Sequence, residues 1–459
     1  MRLDNPFGTK YGTLELPDHT NVISLKELIR LPDPPQAIDD ALHHPVGCPS
    51  LMMIAEGKMK QCLEQKGRRA TATIIISDNT RPVPYKGDEG ILFPIVNILL
   101  KQGYAASEIT ILIATGTHRP LKDEEIRNML DPRILALPLP ITNHNCKDES
   151  MLTGIGTTSR GMDIVLNRLF VEADLKIATG LVESHFMAGA SGGRKAVCPG
   201  IIGEKGTYVF HSAELMADPE SRDLNLENNP VHQEALEVAK AAKVDFIVNV
   251  TVDHAFHLTG VFAGELQKAH EAAVKHIKND VQVAANATDV VITHAGFVGI
   301  NHYQSAKCAV ASMGILKKGG YLIIIADLTD SADPIGSVNY RTNLSLLTII
   351  GPQAYKHMIC SDSWTFIPEQ WQVQQWAKVF DKIGMDHLYF YAPQVDDKDW
   401  QQLPGINGKS FIASGDKSDH YSEMIRGALQ DIARREGSTI EDMSISWIGD
   451  GPYVIPIAD

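Results

Sequence analysis

No stretch of this chain reaches the roughly 18 uninterrupted apolar residues that a membrane-spanning helix needs. Its opening, "MRLDNPFGTKYGTLELPDHT", has no apolar leader core either. The sequence therefore predicts a cytoplasmic protein with no membrane partner. Runs of Lys and Arg are missing too, and a formal net charge of −14 repels polyanions, which excludes nucleic acid as a partner. Cysteine is sparse. The six cysteines, at 48, 62, 146, 198, 308 and 360, include no C-x-x-C pair, which argues against a disulfide frame or a zinc knuckle. Only Cys198 falls within a distinctive stretch, where it reads as a small packing residue.

What is present is a 459-residue chain, 44% hydrophobic and 21% charged, long enough for two domains. Short β-branched runs recur: "TATIIISD" (71–78), "EITILIATG" (108–116), "ADLKIATG" (173–180), "KVDFIVNVTVD" (243–253), "ATDVVITHAG" (287–296) and "GGYLIIIAD" (319–327). Near-continuous apolar runs of this length read as buried parallel strands. Helical stretches such as 88–102 and 229–243 lie between them, so the fold class is α/β, with mainly parallel sheets wound from β-α-β units. The helix-like segment 264–287 separates two sets of strands. The expected division is an α/β domain over 1–265, a linking helix over 266–286 and a second α/β domain over 287–459, with the active site in a cleft between the two. The tail "MSISWIGDGPYVIPIAD" reads as strand and loop.

Three strands end in polar exits. The first runs into "SDNTRPVP", with Asp78, Asn79, Thr80 and Arg81; the second into "TGTHRP", with His118; the third into "TGLVESHFMAGASGGRKAVCPG", with His185 and Lys195. Strand ends of an α/β sheet converge on one edge, so three polar exits together mark a site. Ser191-Gly192-Gly193 suggests an anion nest of backbone N–H groups with Lys195 beside it. It is not a P-loop. Arg194 stands where that motif has Gly, and Ala196 removes the magnesium-binding hydroxyl. A G-x-G-x-x-G dinucleotide fingerprint is also missing after the first strand. His211 lies on what reads as the next helix. The 67- and 26-residue intervals among His118, His185 and His211 match no zinc signature. His254, His257 and His270 read as structural, while "THAGFVGINHYQSAK" adds His294, His302, Tyr303, Gln304 and Lys307.

These pieces in this order resemble the lactate racemase family, the nickel-pincer racemases and epimerases of 2-hydroxy acids. The resemblance runs from "YGTLELPD" through "SDNTRPVP", "ATGTHR", "ESHFMAGASGGRKAVCPG", the His211 segment and "HYQSAK" to "PEQWQVQ". It implies an isomerase whose cofactor is nickel pyridinium-3,5-bisthiocarboxylic acid mononucleotide, made by separate biosynthesis enzymes. By the same resemblance, Lys195 attaches the cofactor covalently and His211 binds Ni(II), while His118 and His185 are the paired acid/bases. Asp78, Asn79, Thr80, Arg81 and Tyr303 would touch the cofactor, Gln304 and Lys307 would hold the substrate carboxylate, and Trp371 matches an aromatic lid. The chain is somewhat longer than the family pattern, with extra residues expected around 327–350 and in the C-terminal domain. Removing hydride from C2 avoids deprotonating carbon beside a carboxylate, and two histidines serve the two hands of the substrate. Two other readings compete. A non-catalytic carrier or sensor of the cofactor would need Lys195 and His211 but not the histidine pair, and a phosphate-loop kinase or ligase lacks the magnesium-binding groups.

Overall fold

The computed structural model describes residues 1–3, 12–330, 333–413 and 419–458, so Tyr11 of the "YGTLELPD" stretch and residues 331–332 of the expected insertion lie outside the described residues. The chain divides into two compact units. One comprises Glu27–His211 and Asp218–Asn279; the other comprises Met1–Lys26, Ser212–Ala217 and Asp280–Asp459. Both are built on mainly parallel sheets, as the composition of the strand runs requires.

The first unit holds six strands in the spatial order Leu258–Gly264, Phe246–Val252, Leu175–Leu181, Ala72–Ser77, Ile109–Ala114 and Ile141–Asn143. All neighbours are parallel except the first pair, a hairpin. Ile74 and Ile76 lie in one core cluster with Ile111, Ile113, Ile177 and Val248. These strands are buried on both faces, which is why they read as unbroken β-branched runs rather than as alternation. Covering helices include Leu51–Lys66, Leu92–Lys101, Pro230–Ala241 and Leu266–Val281. The Pro230–Ala241 helix starts where Asn229 accepts from the His232 N–H, with Pro at its first position.

The second unit carries a wholly parallel sheet in the order Ile406–Asn407, Leu388–Tyr391, Leu316–Ile325, Thr288–His294, Ile445–Ile448 and Asn21–Ile23. The tail also pairs here, Gln282–Ala285 lying parallel to Ile455–Ala458. This partition differs from the one at 265–287 in two respects. The first 26 residues go with the C-terminal strands because Val22 pairs with Trp447. Most of the expected linking helix belongs to the other unit, where Leu266, Ala269, His270 and Ala273 are buried.

Candidate functional site

In the first unit the exits of Ala72–Ser77, Ile109–Ala114 and Leu175–Leu181 share one edge, because these three strands are adjacent and parallel. After Ser77 the chain turns back on itself, and the Tyr85 hydroxyl accepts from the Ser77 N–H at 2.7 Å and meets the Thr179 hydroxyl at 2.7 Å. This tie holds the Asp78–Arg81 turn against the sheet. Asp78 is buried; its Oδ1 accepts from the Thr80 N–H at 3.1 Å and from the Thr80 hydroxyl at 2.6 Å. Its Oδ2 lies 2.7 Å from His118 Nδ1. Burial works to raise the Asp78 carboxyl, but the His118 and Thr80 contacts outweigh it and hold the group below the ordinary range. The carboxylate can only accept, so His118 donates through Nδ1 and its Nε2 carries the lone pair. Asn79 turns toward Glu125 at 3.4 Å, and Arg81 faces Glu183 at 3.9 Å.

The third exit folds into a compact loop. His185, in a short strand paired with Gly189–Ala190, places Nε2 3.0 Å from Lys195 Nζ. Behind the ring, the N–H groups of Met187 and Ala188 donate to Nδ1 at 3.3 and 3.2 Å. With Nδ1 accepting, a neutral ring carries its proton on Nε2, and that proton points at the lysine. A hydrogen bond there needs a lone pair on Nζ, so the contact is one that a free amine completes and an ammonium does not. Lys195 Nζ also sits 5.1 Å from the centre of the Phe210 ring, and Phe210 meets His211 edge-on at 4.7 Å.

His211 does not lie within a helix; it caps the Glu204–Phe210 helix, and its Nδ1 lies 2.9 Å from the Thr207 carbonyl. A carbonyl accepts, so Nδ1 is protonated and Nε2 is the basic nitrogen. Burial, the Lys195 charge and His118 pull His211 down to about 3, which keeps it neutral. A neutral imidazole of fixed tautomer is the form that binds a metal.

The expected anion nest is not formed. The Ser191 N–H donates to the Glu183 carbonyl, the Gly193 N–H to Asn249 Oδ1 at 3.0 Å and the Lys195 N–H to the Gly192 carbonyl. Two of the three N–H groups of Ser191-Gly192-Gly193 are thus committed, one within the loop and one to the Phe246–Val252 strand. Gly192, at φ +72°, packs so closely that an added Cβ would meet Val182 at 2.6 Å. Cys198 is fully buried and its thiol pushed up by burial, in keeping with a packing role.

Tyr303, Gln304 and Lys307 belong to the second unit, on the His302–Ser312 helix, where Asn301 caps the start by accepting from the Gln304 N–H. Gln304 and Lys307 share one face at i, i+3. Gln304 Oε1 is buried with no partner among the described residues. Tyr303 accepts from Trp371 Nε1 at 2.9 Å, and burial pushes its phenol up. The sequence reading missed Tyr85 and Asn249 and took His270 as structural. Asn249 had left a trace, being the one amide inside the apolar run "FIVNVTV".

The N-terminal half of the chain, residues 7–223, matches the family model described as the lactate racemase N-terminal domain. The chain is 33% identical over 364 residues to the lactate racemase of Lactiplantibacillus plantarum, covering 79% of this chain and 80% of that protein. The chain belongs to the lactate racemase family. A second family member, the lactate racemase of Thermoanaerobacterium thermosaccharolyticum, is 32% identical over 342 residues, covering 74% of this chain and 75% of the relative. The fold agrees: the lactate racemase apoprotein structure from Thermoanaerobacterium thermosaccharolyticum superposes with a TM-score of 0.82 at 27% identity, over 99% of this chain and 100% of the other. Its relatives being racemases, this family member is an isomerase. Among the described residues no cluster of three or more His, Cys, Asp or Glu could hold a metal alone, and no helix is long and apolar enough to cross a membrane.

Proposed function

We propose that this chain interconverts the stereoisomers of a small 2-hydroxy acid of the lactate class, using the nickel-pincer nucleotide supplied by separate biosynthesis enzymes. The observation that carries this reading is the 3.0 Å contact between Lys195 Nζ and His185 Nε2, a pairing that the lysine completes as a free amine. An amine, unlike an ammonium, can be acylated. His211 fits the metal role through its basic Nε2, and one protein nitrogen is consistent with a cofactor that brings its own sulfur and carbon donors to Ni(II). When bound, the cofactor supplies a carbon that accepts the C2 hydride and returns it.

The chain's own residues bind, orient and move protons. His118, with Nδ1 held on Asp78, presents Nε2 to take the hydroxyl proton of one hand of the substrate, and the ionised Asp78 supports the charge that develops on the ring. His185 serves the other hand; it becomes a base at Nε2 once its long Nδ1 contacts to Met187 and Ala188 yield and the ring tautomer changes. Gln304 and Lys307 hold the substrate carboxylate, with Tyr303 steadied by Trp371. Asp78, Thr80 and Arg81 contact the nucleotide; Asn79, turned to Glu125, contributes through the shape of the turn.

The test is isotopic. Cofactor-loaded protein is incubated in D2O with each enantiomer of lactate, malate and an aromatic 2-hydroxy acid, and the products are separated by chiral chromatography and read by NMR. Inversion with the C2 hydrogen retained is expected for at least one substrate. Deuterium at C2 of the inverted product would show proton abstraction from carbon and overturn the reading.

A further inference from the structure

Beneath the loop that carries His185 and Lys195 lies a charge without a counter-ion. Arg194 is 1% exposed and forms no ion pair among the described residues. Its Nη2 donates to the Ala188 carbonyl at 2.7 Å and its Nη1 to His270 Nε2 at 2.7 Å; the Gly192 carbonyl lies farther, at 3.5 Å, and Nε is buried without a partner. Burying a guanidinium with no carboxylate is costly, so the contacts it does make must serve the site.

His270 sits on the Leu266–Val281 helix and is buried. Its Nε2 is also 2.9 Å from the Ser191 carbonyl. One nitrogen cannot serve both partners. An Nε2–H aimed at Ser191 would confront the guanidinium N–H, so Nε2 holds a lone pair and accepts from Arg194. Burial and then the Arg194 charge keep His270 well below its ordinary range, and the same two causes pull His232, stacked on it at 6.3 Å, down to about 3. Burial lowers Arg194 itself only to about 9, leaving it charged at neutral pH. One fixed cation therefore lies against a neutral ring, His270, on which a second neutral ring, His232, is stacked.

The loop has two limbs. Ser184–Ala190 carries His185, and the Gly193–Ala196 turn carries Lys195. Arg194 belongs to the second limb and grips the first at Ala188, whose own N–H faces the His185 ring. Gly193, at φ +51°, rests on His270, where an added Cβ would come within 2.8 Å of the ring. We propose that Arg194 and His270 form a buried clamp that positions the His185 limb against the Lys195 limb and so sets the approach of the imidazole to the amine. Neither residue touches the reacting atoms. Both are positioning residues, and the proposal rests on the acylation of Lys195 argued above.

The test uses the full chain with His270→Leu, His270→Gln, Arg194→Gln and Arg194→Lys. Without cofactor, acetylation of Lys195 by an amine-selective N-hydroxysuccinimide ester at neutral pH is followed by peptide mass spectrometry, with the solvent-facing Lys205 as internal reference. His270→Leu and Arg194→Gln should slow Lys195 on the order of tenfold relative to Lys205, since a misplacement of an ångström carries effects of that order or larger. His270→Gln, which restores an acceptor, should recover the rate to within about twofold. In loaded protein the same two variants should lower kcat more than they change KM. Arg194→Lys keeps the charge but cannot bridge both partners, so it should resemble Arg194→Gln. Unchanged labelling and kcat in folded His270→Leu and Arg194→Gln would overturn the clamp. So would loss of cooperative melting in all four variants, because a local clamp leaves the fold intact. If active wild-type protein carries no added mass on Lys195, the functional reading fails instead, whatever the variants do.

Discussion

His118 leaves the sheet at the end of Ile109–Ala114 with its side chain 58% exposed and a buried carboxylate behind it, whereas His185 is held inside a compact loop with two backbone N–H groups behind it and an amine in front. A carboxylate behind an imidazole fixes the Nδ1–H tautomer and welcomes positive charge on the ring. Two N–H groups in the same place fix the opposite tautomer and oppose that charge. On the proposed reading, the two surroundings would prepare residues of one type for different first steps: His118 to receive a proton, His185 to face the Lys195 amine before serving as a base itself. The difference lies in what stands behind each ring rather than in the ring.

The largest effect that would test this contrast is His118→Ala, expected to lower kcat in both directions by about 10²–10⁴-fold while leaving the adduct on Lys195 intact. His185→Ala should cost both turnover and the adduct, as intact-mass spectrometry will read. Equal adduct yields in the two variants would erase the asymmetry. Next comes Asp78→Asn, where an amide can hold either tautomer of His118. The expected fall in kcat is on the order of 10²-fold or more, by analogy with other carboxylates that order a histidine.

A smaller effect separates the two surroundings by pH. Asp78 is held low in the folded state, so its stabilisation is complete above an unfolded value of about 3.9 and fades as the pH falls below that. The Tm difference between wild type and Asp78→Asn should stay constant above about pH 4 and shrink beneath it. His211 behaves differently. Folded, it resists protonation down to about 3, so the stability it confers is present above about pH 6.5 and is lost as the pH drops. His211→Gln should flatten the decline of Tm between neutral and mildly acid pH. The smallest expected signal is spectroscopic. Ring 15N shifts of histidine-labelled, cofactor-free protein should report Nδ1–H for His118 and Nε2–H for His185.

The strand exits were legible because buried parallel strands announce themselves as apolar runs and their carboxyl ends must lie together. The loop's interior was not. Ser191-Gly192-Gly193 has the composition of an anion nest, yet Glu183 and Asn249, distant or inconspicuous in sequence, claim its N–H groups. Arg194 stood out only as the residue where a P-loop has Gly; its burial against His270, 76 residues away, is a tertiary fact that no local pattern carries. Tautomers were equally invisible, since they depend on which carbonyl or N–H stands behind each ring. Short strands such as Ile141–Asn143 and Asn21–Ile23 were missed because three residues are too few to show a period.

Asn21–Ile23 closes its sheet by pairing with Ile445–Ile448, a partner made more than 400 residues later. During synthesis the Glu27–Asn279 unit, apart from the short Ser212–Ala217 excursion, is fully available once the first 279 residues have left the ribosome. The other unit is not: its opening segment must wait, with an edge of backbone unpaired, for nearly the whole chain to be translated. Domains assemble as their segments emerge, so the loop bearing Lys195 can mature while that first strand is still seeking its partner. A nascent chain halted shortly before residue 445 would therefore hold the Lys195 loop folded with one sheet still open.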